Sequence, residues 1–493
     1  MLTGLRPSAR QGLALLLALS LLALSACAQR PAVQAPSGPA RAATSEGGQR
    51  KALSLTIYNQ NFGLVRERRV VDLGEGLVEL EYRDVARELE PNTVSVRSLG
   101  KTEDFAVLEQ NYRYDLLSPK TLLEKHVGEK IKIYRYDEKL GIEQVKEAEI
   151  VAAESGVVLR VDGELSYDLP GRFAFPKLPD NLVSKPTLVW LVQSAVPRQE
   201  LEVSYLTRGL NWSADYVLKL DASDKQADLN GWVTLSNESG TSFEAAQLKL
   251  VAGDVQRIAP PQLPPDEDTV SASISLSKPR APAFREEALL DYHLYTLDRP
   301  TSVKDREKKQ VALLEAHDVK VTKKLVLRGH GGYFLARYGT VSTDQKLDVM
   351  LEFENSKKSQ LGMPLPKGTL RVYKADAAGG LQFVGEDQLD HTPRDEEVKI
   401  RLGQAFDVVA DRKQLQYTQL FKCVSESELE IEIRNHKDTA EAVEVWEPVS
   451  GDWEILRSTH PSRREDSRHF VFDLNVPARG KATVNYRVRV RWC

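Results

Sequence analysis

The sequence predicts an all-β, multi-domain protein built of antiparallel β-sandwiches and a small β-barrel-like unit, preceded by a signal peptide. Three observations predict it. Apolar residues recur at every second position over most of the chain, turn-forming clusters of Gly, Asn and Pro separate these runs, and residues 1–27 read as an export signal. The alternation is plainest from Leu201 to Val255. Leu201, Val203 and Tyr205 alternate with Glu202 and Ser204, and Ala214, Tyr216, Leu218 and Leu220 with Asp215, Val217 and Lys219. Leu229, Gly231, Val233 and Leu235 do the same across Trp232 and Thr234. Successive side chains of a strand point to opposite faces, so each run has one apolar and one mostly polar face.

The length of 493 residues, 41% hydrophobic and 28% charged, supplies several cores at roughly 150 residues per domain. A net charge of -4 leaves no broad basic field, which argues against nucleic acid as a partner.

In residues 1–27, Arg6 and Arg10 precede an apolar run from Gly12 to Leu24, too short to span a bilayer and right for export. Leu24-Ser25-Ala26-Cys27 resembles the bacterial lipoprotein processing box, with Cys27 as the lipidated residue. The implied partner is a membrane, held through N-terminal acyl chains at about 0.8 kcal/mol per buried methylene. Ala28 rather than Asp after the cysteine resembles lipoproteins passed to the outer membrane, facing the periplasm, where a cell has two membranes. Residues 28–50, rich in Pro, Ala, Ser and Gly, are expected to be a flexible tether.

Further units follow in order. Residues 51–115 read as a small β domain, with Leu53, Leu55 and Ile57 alternating and a turn at Asn59–Gly63. Residues 116–184 read as the barrel-like domain, because short strands such as Val157–Val161 are punctuated by Gly156, Asp162-Gly163 and Pro170-Gly171. Residues 185–493 form a sandwich region, interrupted at 259–283 by a segment with six prolines that cannot pair into a sheet and is expected to be disordered. Lys304–Ala316 is rich in helix formers, yet the alternation that follows it at Val319, Val321, Leu325 and Leu327 assigns most of it to strand. Leu347, Val349, Leu351 and Phe353, then Leu429, Ile431 and Ile433, then Val484, Tyr486, Val488, Val490 and Trp492, mark later strands. Their second faces carry Glu and Arg, too costly in lipid for a transmembrane barrel.

Tyr205–Tyr216, Tyr292–Val303, Met363–Gly368 and Gly403–Val408 resemble the C-terminal domain of mucoidy-inhibitor-A-like proteins, a domain of unknown function. The resemblance covers roughly residues 185–492, and residues 53–98 more weakly resemble the N-terminal domain of the same proteins. Those relatives place a long heptad coiled coil between the two β regions, where this chain has the short strands of 116–184. The resemblance implies a fold and carries no catalytic residue.

The chemistry-bearing residues are dispersed. His126, His293, His317, His330, His391, His436, His460 and His469 show no metal-site spacing, and the chain has no Gly-x-Ser-x-Gly elbow and no phosphate-cradling loop. No catalytic residue, metal or cofactor is expected. Trp212 with Asn211 and Asp215 could form an aromatic ligand platform, but alternation places Tyr216 and its neighbours in an inter-sheet core. Cys423 and Cys493, the cysteines left after processing, are candidates for a disulfide in an oxidising compartment. The reading is a non-catalytic, lipid-anchored cell-envelope protein with a binding or structural role, its candidate partner an envelope protein or a glycan. The alternatives are an envelope hydrolase acting on polysaccharide or peptide, through carboxylates that only folding would bring together, and a carbohydrate-binding protein.

Cys27→Ser should abolish membrane association. Fractionation of cells after a high-salt wash checks it, the variant being expected in the soluble fraction.

Overall fold

A computed structural model describes residues 40–137, 141–154, 156–167, 169–179, 182–257 and 284–493. Residues 1–27, read from the sequence as a signal peptide ending at Cys27, residues 28–39 and the proline-rich segment 259–283 lie outside them. The described strands form five sheets around three apolar cores.

The first core lies between two layers. One is eight-stranded, in the order Phe284–Leu289, Tyr292–Leu297, Phe243–Ala252, Arg50–Tyr58, Phe62–Asp72, Arg198–Arg208 and Ser95–Ser98, with Thr301–Val303 also paired to Phe243–Ala252. The other runs Glu307–Lys320, Gln226–Asn237, Leu210–Leu220, Gly368–Ala375 and Leu381–Leu389. The stretch read as helix-rich but β is therefore a strand. A four-stranded sheet of Arg41–Ser45, Gly76–Arg83, Thr187–Ser194 and Phe105–Arg113 adds Val78, Leu80, Tyr82 and Trp190 to the same core. The chain crosses from one layer to the other at Gly209, whose φ of +76° and closeness to Glu238, where a Cβ would lie 2.7 Å from the carbonyl carbon, admit only glycine.

Pairing runs across the boundaries expected from composition. Arg50–Tyr58 lies parallel to Phe243–Ala252, and Phe62–Asp72 lies antiparallel to Arg198–Arg208 along its whole length. Residues 51–115 thus share their sheets with the sandwich region, because strands this few cannot bury their own apolar face. Arg41–Ser45, placed by composition in the tether, pairs in parallel with Gly76–Arg83, and the Ser45 carbonyl accepts from Arg69 Nη1 (3.2 Å).

Residues 116–184 form a separate unit inserted into the four-stranded sheet. Arg113 and Thr187, on either side of the insertion, are direct register partners. Inside the unit the strands run Glu164–Tyr167, Val158–Val161, Ile142–Ala152, Lys130–Asp137 and Arg172–Ala174. They curl into the small barrel-like sheet around Ile131, Ile133, Ile150 and Leu159.

The C-terminal sheet has nine strands, from Asp452–Ser458 through Lys481–Arg491, Val424–Asn435, Glu397–Phe421, Thr340–Glu354, Thr322–Arg328, Glu441–Pro448 and His469–Val476 to Ser462–Arg464. It curls until its ends nearly meet. Trp453 of the first strand packs on Phe470 near the other end (ring centroids 5.1 Å) and donates Nε1–H to the Ser467 carbonyl (3.0 Å). Inside lie Leu327, Phe334, Ile431, Val445, Phe472 and Val488.

Two ionised pairs are sealed in these cores. Glu67 accepts from Arg69 (2.8 Å) and Arg50, beside Tyr82, over whose ring the Arg69 guanidinium sits at 3.7 Å. Arg412 pairs with Glu447 beside Tyr333 and Tyr486, and both charged side chains are fully buried. Burial pushes the Tyr82 and Tyr486 hydroxyls well above their ordinary range.

On the outer face of the nine-stranded sheet, Glu426 accepts forked hydrogen bonds from both Arg487 (3.0 and 2.7 Å) and Arg489 (2.9 and 2.7 Å). The bonds from Arg489, then those from Arg487, hold its carboxyl below the usual value of 4.5. Its folded pKa lies below its unfolded one. The contribution to stability is therefore complete above pH 4.5 and is lost as pH falls through the folded value. Glu426→Gln should lower the urea midpoint at pH 7 and flatten the decline between pH 7 and pH 3, followed by tryptophan fluorescence.

Candidate functional site

The structure does not bring together the platform residues that the sequence offers. Trp212 faces inward, 3% exposed, and donates its indole N–H to the Val251 carbonyl (3.2 Å). Asn211 and Asp215, one and three positions away, fall on the opposite face of the same strand, since side chains alternate. Asp215 is engaged there by Thr234 Oγ1 (2.8 Å) and Arg371 Nη1 (3.2 Å). Cys423 and Cys493 are joined by a disulfide with Cα atoms 5.6 Å apart, which ties the end of the last strand to the turn before Val424–Asn435.

Three of the sequence motifs do converge. The Met363–Gly368 loop is gripped by two buried tyrosines, Tyr216 donating its hydroxyl to the Pro366 carbonyl (2.7 Å) and Tyr295 to the Pro364 carbonyl (2.9 Å). Burial raises both phenol pKa values, so both stay donors across the physiological range. Trp212 packs beside Tyr295 with centroids 6.4 Å apart. Gly368 ends the loop against the next strand, where a Cβ would run into the Ala214 carbonyl oxygen.

Above this latch lies a shallow depression of about 510 Å³. Glu286, nearly buried, is held by Arg394 and approaches His293 Nδ1 at 2.9 Å. Nearby, His391 Nδ1 accepts from the Lys367 N–H (3.2 Å), and burial keeps that imidazole below its usual range. A carboxylate-oriented histidine suits proton transfer, yet the lining of Glu286, Glu287, Ala288, His293, Pro364, Pro393 and Arg394 supplies no hydroxyl or thiol for it to activate. Among the described residues no three His, Cys, Asp or Glu converge as metal ligands.

Residues 201–493 match the family described as a domain of unknown function, DUF4139. The chain belongs to the DUF4139 family. No curated protein matches it. The tyrosine latch and the Glu286–His293 pair lie within the matched residues, whereas the inserted unit at 116–184 lies outside the DUF4139 match.

That unit holds the larger concavity, a cleft of about 1200 Å³. Ser118 starts its helix, Pro119–Lys125, with Oγ accepting from the Thr121 N–H (3.1 Å) and Pro119 in the first turn. Leu123 packs on the barrel core. The ring nitrogens of buried His126 lie 2.7 Å from the Leu122 carbonyl oxygen and 3.1 Å from that of Lys177, so the helix end is fixed to the returning chain. Between helix and sheet, the cleft is lined by Val127, Val157, Leu169 and Phe173, with Tyr167 at its rim. Asp115, Glu124, Lys125 and Glu154 complete it, Lys125 being bonded to Asp115 at 2.6 Å. Sequence reasoning assigned the unit a barrel-like fold and no ligand site. It missed the cleft because the helix and the strand ends that shape it meet only through the fold.

Tyr295→Phe should destabilise the chain by about 1–3 kcal/mol, because it leaves the Pro364 carbonyl buried without a donor. Urea unfolding checks the loss, and His391 imidazole chemical shifts should report the loosened loop.

Proposed function

We propose that this DUF4139 protein is a non-catalytic, lipid-anchored component of the cell envelope that binds another envelope macromolecule through its inserted β unit. The cleft of about 1200 Å³ carries the reading, because it is a concave, half-apolar site on a unit separate from the sandwich core. Tyr167 lines the cleft, Leu165 lies two positions away in the same strand, and the two are 82% and 65% exposed. Export supports the location. The processing box ends at Cys27, and the exposed end of the chain carries a disulfide of the kind that persists outside the cytosol. Where the cell has two membranes, Ala28 favours the outer one, with the chain facing the periplasm. The resemblance of residues 185–492 to the C-terminal domain of mucoidy-inhibitor-A-like proteins implies a fold and brings no catalytic residue with it.

The insertion geometry supplies the test. Because Arg113 and Thr187 already face each other, replacing residues 115–185 with an Asn-Gly turn should close a hairpin and leave the rest folded. That variant should keep its place in the membrane fraction and its cooperative unfolding, yet fail to rescue the envelope defect of cells lacking the protein. Full rescue by the shortened chain would overturn the reading.

A further inference from the structure

The inserted unit also shows how it would hold a partner. Glu164–Tyr167 and Arg172–Ala174 follow one another in the chain but lie at opposite edges of the five-stranded sheet. Among the described residues each is paired on one side only, the first with Val158–Val161 and the second with Lys130–Asp137. The barrel-like sheet is therefore open between them, and residues of both edges, Tyr167 and Phe173, line the cleft. An edge strand carries a row of unused N–H and C=O groups, which proteins commonly guard with Lys, Pro, a bulge or a covering segment. The Glu164–Tyr167 edge is short, with Pro170 lining the cleft beside it, yet it carries Leu165 and Tyr167, among the most exposed large apolar side chains of the described residues.

We infer that this edge and its cleft take an extended peptide segment of a partner by strand addition, and that the segment alternates apolar with basic residues. Main-chain bonds to the open edge would give affinity, and alternate side chains would enter the cleft, as in other strand-addition complexes. The apolar set would meet Val127, Val157 and Phe173. The basic set follows from charge. The cleft lining carries Asp115, Glu124 and Glu154 against Lys125 alone, 3 acids against 1 lysine; Lys125 is bonded to Asp115 and Glu124 meets the exposed Lys120 outside the lining at 3.6 Å. The same surplus disfavours an anionic lipid headgroup, and it disfavours a second copy of this chain, which would bring like charges together.

This inference rests on the reading of the inserted unit as the partner-binding part, and the experiment separates the two. The probe is a short fluorescein-labelled peptide of alternating lysine and valine, titrated into the purified mature chain and read by anisotropy. Saturable binding is expected, with amide exchange slowed at Glu164–Tyr167. A peptide of equal charge with proline in place of valine cannot form a strand, and should bind at least about tenfold more weakly. Leu165→Lys/Tyr167→Lys and, separately, Glu124→Gln/Glu154→Gln should each weaken the valine peptide by a similar factor. Circular dichroism and unfolding midpoints confirm that both variants remain folded. Equal binding of the two peptides, protection confined to other strands, no saturable binding, or dimerisation through this edge in light scattering would each overturn strand addition. If the peptide fails while the chain shortened at 115–185 still cannot rescue the envelope defect, strand addition falls and the partner-binding reading stands.

Discussion

One antiparallel ladder holds the DUF4139 region together. Thr340–Glu354 and the 25-residue strand Glu397–Phe421 pair along almost the full length of the shorter strand, and the longer one, at about 3.3 Å per residue, reaches roughly 80 Å. Leu351, Phe353, Val398 and Ile400 lie in the sandwich core, while Leu347, Ala405, Val408 and Ala410 lie in the core of the curled nine-stranded sheet. The register slips between Lys346 and Asp348 and again between Val349 and Met350, where the ladder passes from one core to the other. A bulge there lets two inward faces of different orientation share one pair of strands. Neither core can shift without bending backbone that belongs to the other.

Within each core a charged pair restricts how the layers can sit. Arg69 with Glu67 and Arg412 with Glu447 are each removed from water, and a buried ion of this kind is costly unless its partner stays in place. A slipped register would strand one charge in an apolar layer, so these pairs favour one arrangement of each sheet more than they add net stability. Tyrosines complete both clusters, and tyrosines again grip the Met363–Gly368 loop. The Tyr216 and Tyr295 hydroxyls donate there to backbone carbonyls, whereas the Tyr205 hydroxyl in the first cluster accepts from the Ala86 N–H.

The inserted unit is organised on the opposite principle. It has its own small core and joins its host where two neighbouring strands already face each other, so it adds a surface without interrupting the sandwich. The first core closes over Trp212, Tyr216 and Tyr295 and spends its aromatics on packing. The insertion instead leaves Leu165 and Tyr167 in solvent, Tyr167 lining a cleft. Rigid scaffold and exposed module are thus separated in space as well as in sequence.

Period-two alternation is a local property, and it survived folding. Leu201, Val203, Tyr205, Tyr216, Val233, Ile431 and Val488 all face inward, and Trp212 follows because it shares the parity of Tyr216. The same rule separates Trp212 from Asn211 and Asp215. The all-β class, the barrel-like character of 116–184 and the strand nature of Glu307–Lys320 were therefore legible in the sequence. The expectations of an export signal and of lipid at Cys27 also rest on sequence alone. Which strands pair was not legible. Arg50–Tyr58 finds Phe243–Ala252 across about 190 residues, Arg41–Ser45 joins the fold despite a tether-like composition, and Leu347 and Leu351, read as one face of one strand, serve two cores. Glu286 and His293 meet across one hairpin, but Arg394 reaches them from 108 residues beyond Glu286, and the cleft beside Tyr167 likewise needs a helix and strand ends that only the fold brings together. Alternation says which way a side chain points, but only the packing of non-local strands, whose loop-closure entropy leaves no pattern in the chain, decides what it meets.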